Sequence, residues 1–294
     1  MKKNKIIVAV CSRNFNKNLL NLMENIYINS ISSKLDLEVL IVFNNSKKII
    51  KHELLLIYKK LKKINFNIIY EKKIGISYVR NKCLTYLKNT EFNYYCFIDD
   101  DCLIKKDYFI NHLNFIKANK CDVVTGPQVY KSKKEYFKTF ERKYPQGARV
   151  SWASTNNVFF TNKILKKNIY FSTNVTKYGF GEDQLYFTKL SKLGEIIKWN
   201  NNPVFEIIQK KRENLGWFVN RSFRYGLTGF LIEKELYGSL VAFFINLTKA
   251  LLYFVKMIFN LIFFLNRPKK QFFNFLSNLF RGLGRFFGCI NIIK

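Results

Sequence analysis

Residues 94–102 read Tyr94-Tyr95-Cys96-Phe97-Ile98-Asp99-Asp100-Asp101-Cys102, so that five apolar or aromatic residues run straight into three carboxylates. An unbroken apolar run of that length fits a strand covered on both faces, and the abrupt change to acid marks its carboxyl end. Outward from it, similar runs occupy residues 6–11, 37–43, 67–70 and 122–125. Helix-like stretches lie between them, near residues 16–33, 50–63, 77–88 and 106–119. Strands alternating with helices predict right-handed crossovers and a mostly parallel, Rossmann-like α/β sheet with helices on both faces. Such sheets bind ligands beyond the carboxyl ends of their strands, so the chemistry belongs just after each apolar run.

The character changes near residue 127. Residues 127–144 are polar and basic and predict a loop with a short helix. Residues 156–160 and 195–208 are strand-like, residues 181–193 helical, and from residue 212 the chain turns helical and then strongly apolar. A chain of 294 residues accommodates one large α/β domain and an appendage. We place the catalytic domain at 1–226 and a helical membrane-associated region at 227–294.

Lys and Arg outnumber Asp and Glu by 50 to 20, a formal charge of +30 that suits nucleic acid, an anionic membrane surface or an acidic substrate. Lys, Asn, Ile and Phe are abundant together, as an AT-rich coding sequence produces, so the charge alone selects none of these. No recognised nucleic-acid motif accompanies it, and no nucleic-acid partner is expected. The six cysteines, Cys11, Cys83, Cys96, Cys102, Cys121 and Cys289, show neither CxxC pairing nor histidines at ligand spacing. That pattern argues against zinc and disulfide frameworks and fits a reducing compartment. The basic start and short apolar run at the N-terminus are shorter than the roughly 7–15 apolar residues of a signal peptide and read as a first strand.

Like charges gathered as Asp99, Asp100 and Asp101 repel unless a cation neutralises them. Hard oxygen donors suit Mg²⁺ or Mn²⁺, which bind through one or two carboxylates plus substrate phosphates. A solvated acidic turn capping the next helix is the competing reading; the position after an apolar strand favours the metal. A second pair, Glu182-Asp183, follows Gly179-Phe180-Gly181 and opens a helix, where acids also meet the macrodipole favourably. Together the two clusters supply what sugar transfer with inversion requires, a cation at the departing diphosphate and a separate carboxylate base at the acceptor.

These residues resemble the family 2 glycosyltransferases, inverting enzymes of the GT-A fold that use nucleotide-sugar donors. Phe97-Ile-Asp-Asp-Asp-Cys resembles their strand-terminal DxD motif. The resemblance implies that Asp101, with Asp99, ligates Mn²⁺ or Mg²⁺, while Asp99 and Asp100 contact ribose or metal-bound water. Gly75-Ile-Ser-Tyr-Val-Arg80-Asn81 is similar to the family's G-x-x-x-A-R-N segment, with Val79 for Ala, and implies that Arg80 faces the nucleotide. Gly181-Glu182-Asp183 resembles the ED motif, making Asp183 the implied base and Glu182 its neighbour. Thr155-Asn156-Asn157-Val158-Phe159-Phe160 resembles the segment lining the donor-sugar and acceptor pocket, which implicates Asn156, Asn157 and Trp152. Cys11 and Arg13 at the first strand end and Asn44 at the second complete the implied nucleotide site, although Asn44-Asn45 stands where the family usually has Asp-Asn and the common Pro-Thr pair is missing after the first strand. Lys210-Lys211-Arg212, Trp217, Arg221 and Arg224 resemble a basic, aromatic region of some members that holds diphosphate or faces anionic lipid; the polar face of a helix is the alternative.

In the tail, Asn246, Lys249, Tyr253, Lys256 and Asn260 fall on one helical face. Asn274, Asn278, Arg281 and Arg285 do the same in residues 271–293. A charge at the bilayer centre costs roughly 2.5–3.5 kcal/mol on insertion scales. Two arrangements avoid that cost: helices lying in the membrane plane, or an embedded hairpin whose second helix shields the polar stripe. The expectation is therefore a metal-dependent inverting transferase for polysaccharide or lipopolysaccharide synthesis. It would work at the cytoplasmic face of a membrane, the inner membrane in a bacterium, with a nucleotide-sugar donor and a glycan or lipid-linked acceptor. A catalytically silent membrane scaffold and a basic nucleic-acid-binding protein are the rival classes; retention of Asp99, Asp101 and Asp183 favours the enzyme.

Overall fold

The computed structural model describes residues 4–33, 35–45, 50–176 and 181–290. The chain forms two compact units, Met1–Val129 with Arg142–Thr173 and Tyr186–Ile207, and Tyr130–Glu141 with Asn174–Leu185 and Ile208–Lys294. The chain thus passes between them several times.

The first unit is built on seven strands: β1 (Lys5–Ser12), β2 (Asp36–Phe43), β3 (Asn65–Tyr70), β4 (Tyr94–Asp99), β6 (Val123–Thr125), β8 (Val158–Thr161) and β9 (Ile197–Trp199). Their order is β3-β2-β1-β4-β8-β6-β9. β3, β2, β1 and β4 run parallel, as do β6 and β9, while β8 is antiparallel to both its neighbours. This is the mostly parallel α/β sheet expected, with one reversed strand. Two short strands beside it, β5 (Cys102–Ile104) and β10 (Val204–Ile207), pair antiparallel, and β7 (Gln128–Lys131) joins them as the third strand of a small sheet.

Helices cover both faces because successive side chains of a strand point to opposite sides. Ile6, Val8 and Val10 of β1 face α1 (Lys17–Ser33), α2 (Lys51–Leu61) and α4 (Tyr108–Asn119), packing with Leu22, Ile57 and Phe109. Ile7 and Ala9 face the other way, with Val79 and Leu84 of α3 (Ile76–Lys88) and Phe187 of α6 (Glu182–Lys192). Tyr95 of β4 stacks on Phe160 of β8 with centroids 4.4 Å apart, which holds the reversed strand in register. Fully burying such a ring contributes about 1.5–3 kcal/mol.

The second unit contains α5 (Thr173–Thr176) in part, a 3₁₀ turn at Glu135–Thr139, and three long helices, α7 (Leu215–Tyr237), α8 (Ser239–Ile262) and α9 (Pro268–Ile290). Asn214 caps α7, its Oδ1 accepting from Trp217 N at 2.8 Å. α7 and α9 touch backbone to backbone: a Cβ on Gly226 would lie 2.2 Å from the Arg281 carbonyl oxygen, and one on Gly284 2.0 Å from that of Phe223. Only glycine permits this approach. Buried between the three helices, Glu233 of α7 accepts from Arg285 of α9 at 3.2 Å, and from Asn246 and Lys249 of α8; Asn246 in turn accepts from Arg285. Two of the five residues of the polar stripe read along α8, Asn246 and Lys249, therefore join this network. The opposite side exposes Leu240, Phe244, Leu251, Val255 and Phe259, and α8 is long and apolar enough to cross a membrane, with a mean hydropathy of 1.6.

Candidate active site

Parallel pairing sets the site. Cys11 stands level with Val42 on one side and Asp99 on the other, so the carboxyl ends of β1, β2 and β4 finish together. Asp99, Asp100 and Asp101 are half-buried at this edge. Asp100 Oδ2 accepts from Ser12 Oγ and, at 2.9 Å, from Asn16 Nδ2. Asn16 also receives the Leu19 amide at 2.9 Å and so fixes the start of α1. Asp99 Oδ1 lies 3.7 Å from the guanidinium of Arg80, a side chain from α3 only 5% exposed whose other face lies 5.6 Å from the Phe171 ring. The Asp101 carbonyl accepts from Ile207 N at 2.8 Å, tying the triplet to β10. Below the acids, burial first and then the charges of Asp99 and Asp101 push the Cys102 thiol well above its ordinary range. Burial and these neighbouring charges favour the neutral thiol.

Among the described residues, no group of three or more His, Cys, Asp and Glu is arranged to hold a metal by itself. The donor set at the β4 end is hard carboxylate oxygen, which fits Mn²⁺ or Mg²⁺ bound by one or two protein groups and completed by substrate phosphates.

Asn44 sits at the same edge, but its amide is used within the protein. Its Oδ1 accepts from Gly75 N at 2.8 Å, and its Nδ2 donates to the Lys73 and Glu71 carbonyls at 2.8 and 3.2 Å. The side chain thereby shapes the turn that delivers α3 and Arg80. Arg13 is exposed in the loop after β1, beside Asn14, whose Oδ1 accepts from Asn45 Nδ2 at 2.7 Å.

Asn157 is fully buried. Its Oδ1 accepts from Tyr108 OH at 2.8 Å and lies 3.2 Å from His112 Nε2, while its Nδ2 donates to the Pro127 and Asn202 carbonyls at 3.0 and 2.9 Å. That side chain is a hub joining α4 to the strand ends, with no group left over for a sugar. Asn156, two residues before β8, is buried and its Oδ1 has no hydrogen-bond partner. Trp152 is half-buried: Arg142 stacks 3.7 Å over its ring, and its Nε1 donates to Tyr144 OH at 3.1 Å. Desolvation depresses His112 to about 3, so it remains neutral.

The other acidic pair opens α6 and falls in the second unit. Gly181 precedes it with φ +104°, a conformation that side chains rarely adopt, and a Cβ there would meet Val175 and Ile232 at 3.2 Å. Glu182 is buried; Asp183 is half-buried, its Oδ1 accepting from Gln184 N at 2.7 Å. Gly179 and Phe180 of the motif lie outside the described residues.

Cys11, Asn44, Arg80 and the three aspartates are therefore gathered at one strand edge, while Glu182 and Asp183 belong to a different unit. Ser12, Asn16 and Phe171 were not anticipated as supports of the acids and Arg80. Asn16 was detectable, because an Asn directly before a helical pattern is an N-cap signal.

The sequence profile described as glycosyl transferase family 2 matches residues 6–180, the span that carries the strand edge and its acids. The chain belongs to glycosyl transferase family 2. Its α/β architecture is the family's GT-A fold. Among solved structures, S. aureus TarS 1-349 in complex with UDP is 18% identical, with a TM-score of 0.52 over 78% of this chain and 65% of that one. The mannosyltransferase PcManGT from Pyrobaculum calidifontis, in complex with GDP-Man and Mn²⁺, is 16% identical, with a TM-score of 0.61 over 95% of this chain and 86% of that one. At these identities the likeness is one of fold. The family 2 chain spans 39% of the length of a longer TarS chain and 65% of TarS 1-349. No curated protein matches it by sequence.

Proposed function

We propose that this family 2 glycosyltransferase is metal-dependent and inverting, and moves a sugar from a nucleoside-diphosphate donor to a hydroxyl of a lipid-linked or envelope-glycan acceptor. The observation that carries the reading is the strand edge where Asp99 stands beside buried Arg80 and Asp101 follows at the end of the same strand. Carboxylates alone would repel a diphosphate. Asp101 and Asp99 would hold Mn²⁺ or Mg²⁺, which when bound would supply the charge that stabilises a departing diphosphate. Arg80 adds a fixed positive charge on the nucleotide side, and Asp100, held by Ser12 and Asn16, keeps the loop after β1 in place. The acceptor oxygen attacks the anomeric carbon, the bond to the diphosphate oxygen breaks, and Asp183 takes the hydroxyl proton. Attack opposite the leaving group inverts the anomeric centre. PcManGT was solved with GDP-Man and Mn²⁺, and TarS with UDP and with UDP-GlcNAc, which supports a donor of the same class here.

The exposed apolar side of α8 and the basic residues Arg267, Lys269 and Lys270 support attachment to the cytoplasmic face of a membrane. Each cation near an anionic leaflet adds about 1 kcal/mol. Two experiments test these statements. Full-length protein incubated with a panel of nucleotide sugars and Mn²⁺ or Mg²⁺ is expected to release nucleotide and, with an acceptor, to give inverted product; a retained anomeric configuration contradicts the mechanism. Fractionation at low salt is expected to leave the protein with membranes, and recovery in the soluble fraction contradicts the location.

A further inference from the structure

All six cysteines of the chain are free and buried. Two of them touch: Cys11 Sγ, near the end of β1, lies 3.7 Å from Cys83 Sγ in the middle of α3, although 72 positions separate them in sequence. Both side chains belong to the apolar layer between α3 and the sheet, together with Ala9, Val79 and Leu84. The two sulfurs are thus in contact without a bond, and only the approach to the about 2.05 Å of a disulfide separates the two states.

The thiols differ in access. Cys11 stands at the carboxyl end of its strand and keeps 8% of its surface exposed, whereas Cys83 is fully buried. Burial, and next the hydrogen bond to Cys11, hold the Cys83 thiol well above its ordinary range. An oxidant in solution therefore meets Cys11, and Cys83 needs to meet only Cys11. The pair also adjoins the acids of the strand edge. Cys11 is level with Asp99 on β4, and Cys83 follows by three positions Arg80, whose guanidinium lies 3.7 Å from Asp99 Oδ1. Residues three apart share a helix face, so a bond that draws Cys83 towards β1 also shifts the turn that carries Arg80.

We infer that Cys11 and Cys83 are a site of reversible disulfide formation, through which a peroxide resets the strand edge. The Cys11 sulfur attacks one peroxide oxygen, the O–O bond breaks, and the departing hydroxide leaves as water with the thiol proton, giving a sulfenic acid. The Cys83 sulfur then attacks Cys11 Sγ, the S–O bond breaks, and a second water leaves with the Cys83 proton. Two thiols are oxidised to one disulfide, and one peroxide is reduced to two waters. A dithiol in solution reverses the bond by exchange. In reducing surroundings such bonds are transient and redox-sensing. The effect on the strand edge rests on its reading as the donor site; the bond itself does not.

Full-length protein, reduced and then exposed to hydrogen peroxide, is quenched in acid, alkylated with N-ethylmaleimide in urea and mapped by mass spectrometry. A peptide linking Cys11 to Cys83 is expected, lighter by two hydrogens than its two halves, with the other four cysteines alkylated. Dithiothreitol is expected to restore both thiols, and Cys83→Ala to form no such link. In calorimetric titrations with Mn²⁺ and the nucleotide sugar that the donor panel selects, the oxidised protein is expected to bind about ten-fold more weakly than the reduced one, as loss of one hydrogen bond to a charged group produces. Cys83→Ala is expected to bind equally before and after peroxide. Circular dichroism shows whether that variant folds, and the wild-type map stands without it. A bond formed in a protein whose reduced form takes no donor upholds the site and counts against the donor reading alone. A bond that leaves donor affinity unchanged overturns the effect on the strand edge. Peroxide that leaves Cys11 and Cys83 both alkylated, or carries either to a sulfinic acid without the link, overturns the inference.

Discussion

The two units handle charge in opposite ways. At the strand edge, half-buried Asp99 lies 3.7 Å from the guanidinium of buried Arg80, at the carboxyl ends of the strands. In the helical unit, Glu233 is buried at 5% exposure and held by Arg285, Asn246 and Lys249, its oxygens satisfied inside the protein. Charge of the first kind stands where ligands of such sheets bind, whereas charge of the second kind fixes how helices meet. Place in the fold, a strand end or a helix crossing, separates the two, and residue type alone does not.

The largest effect that tests this contrast is catalytic. Asp183→Asn keeps the shape of the side chain and removes its basicity, so turnover should fall by roughly 10²- to 10⁴-fold with donor affinity unchanged. Wild-type turnover in that variant would assign the base elsewhere. In the helical unit, Glu233→Ala leaves Arg285 buried without its carboxylate and should destabilise the unit by about 3–5 kcal/mol. Thermal melting in detergent checks this; an unchanged midpoint would show that the network contributes little.

An intermediate effect concerns His112. Its folded value of about 3 lies below the ordinary 6.5, so the unfolded chain takes up a proton below pH 6.5 that the folded chain refuses. Stability is therefore lost as the pH falls from 6.5 towards 3, with about 2 kcal/mol gone by pH 5 at roughly 1.4 kcal/mol per unit. Urea titrations at pH 7 and pH 5 measure it, and His112→Gln, which cannot protonate there, should flatten the dependence. The smallest effect belongs to the helix crossing. Gly284→Ala puts a methyl group 2.0 Å from the Phe223 carbonyl oxygen and should cost about 1–3 kcal/mol, read as a lower melting midpoint. No change would mean that α7 and α9 part easily.

Much of the first unit is legible in the sequence because its signals are local. Apolar runs ending in Asn44 or Asp99 mark strand ends, and the periodicity of residues 77–88 and 106–119 anticipates α3 and α4. What escapes depends on partners far along the chain. β5, with three residues, is too short to carry a pattern and gains its stability from β10 a hundred residues away. The reversal of β8 is likewise a property of its neighbours. Asn44 and Asn157 look like ligand-binding amides in sequence, yet their hydrogen bonds are directed to Gly75 and to Tyr108. In the tail, spacing reveals the polar stripe of α8 but not that Glu233 and Arg285 receive part of it. Gly226 and Gly284, 58 positions apart in the numbering, disclose their role only when the two backbones meet.

The central claim is that the carboxylates after β4 bind a metal-complexed nucleotide sugar. Calorimetric titration of full-length protein with the preferred donor, with and without Mn²⁺, tests it directly, repeated on Asp101→Ala. Wild-type affinity is expected to rise at least ten-fold with Mn²⁺ and that gain to vanish in the variant. An undiminished Mn²⁺-dependent gain in Asp101→Ala would contradict the assignment of the metal to this site.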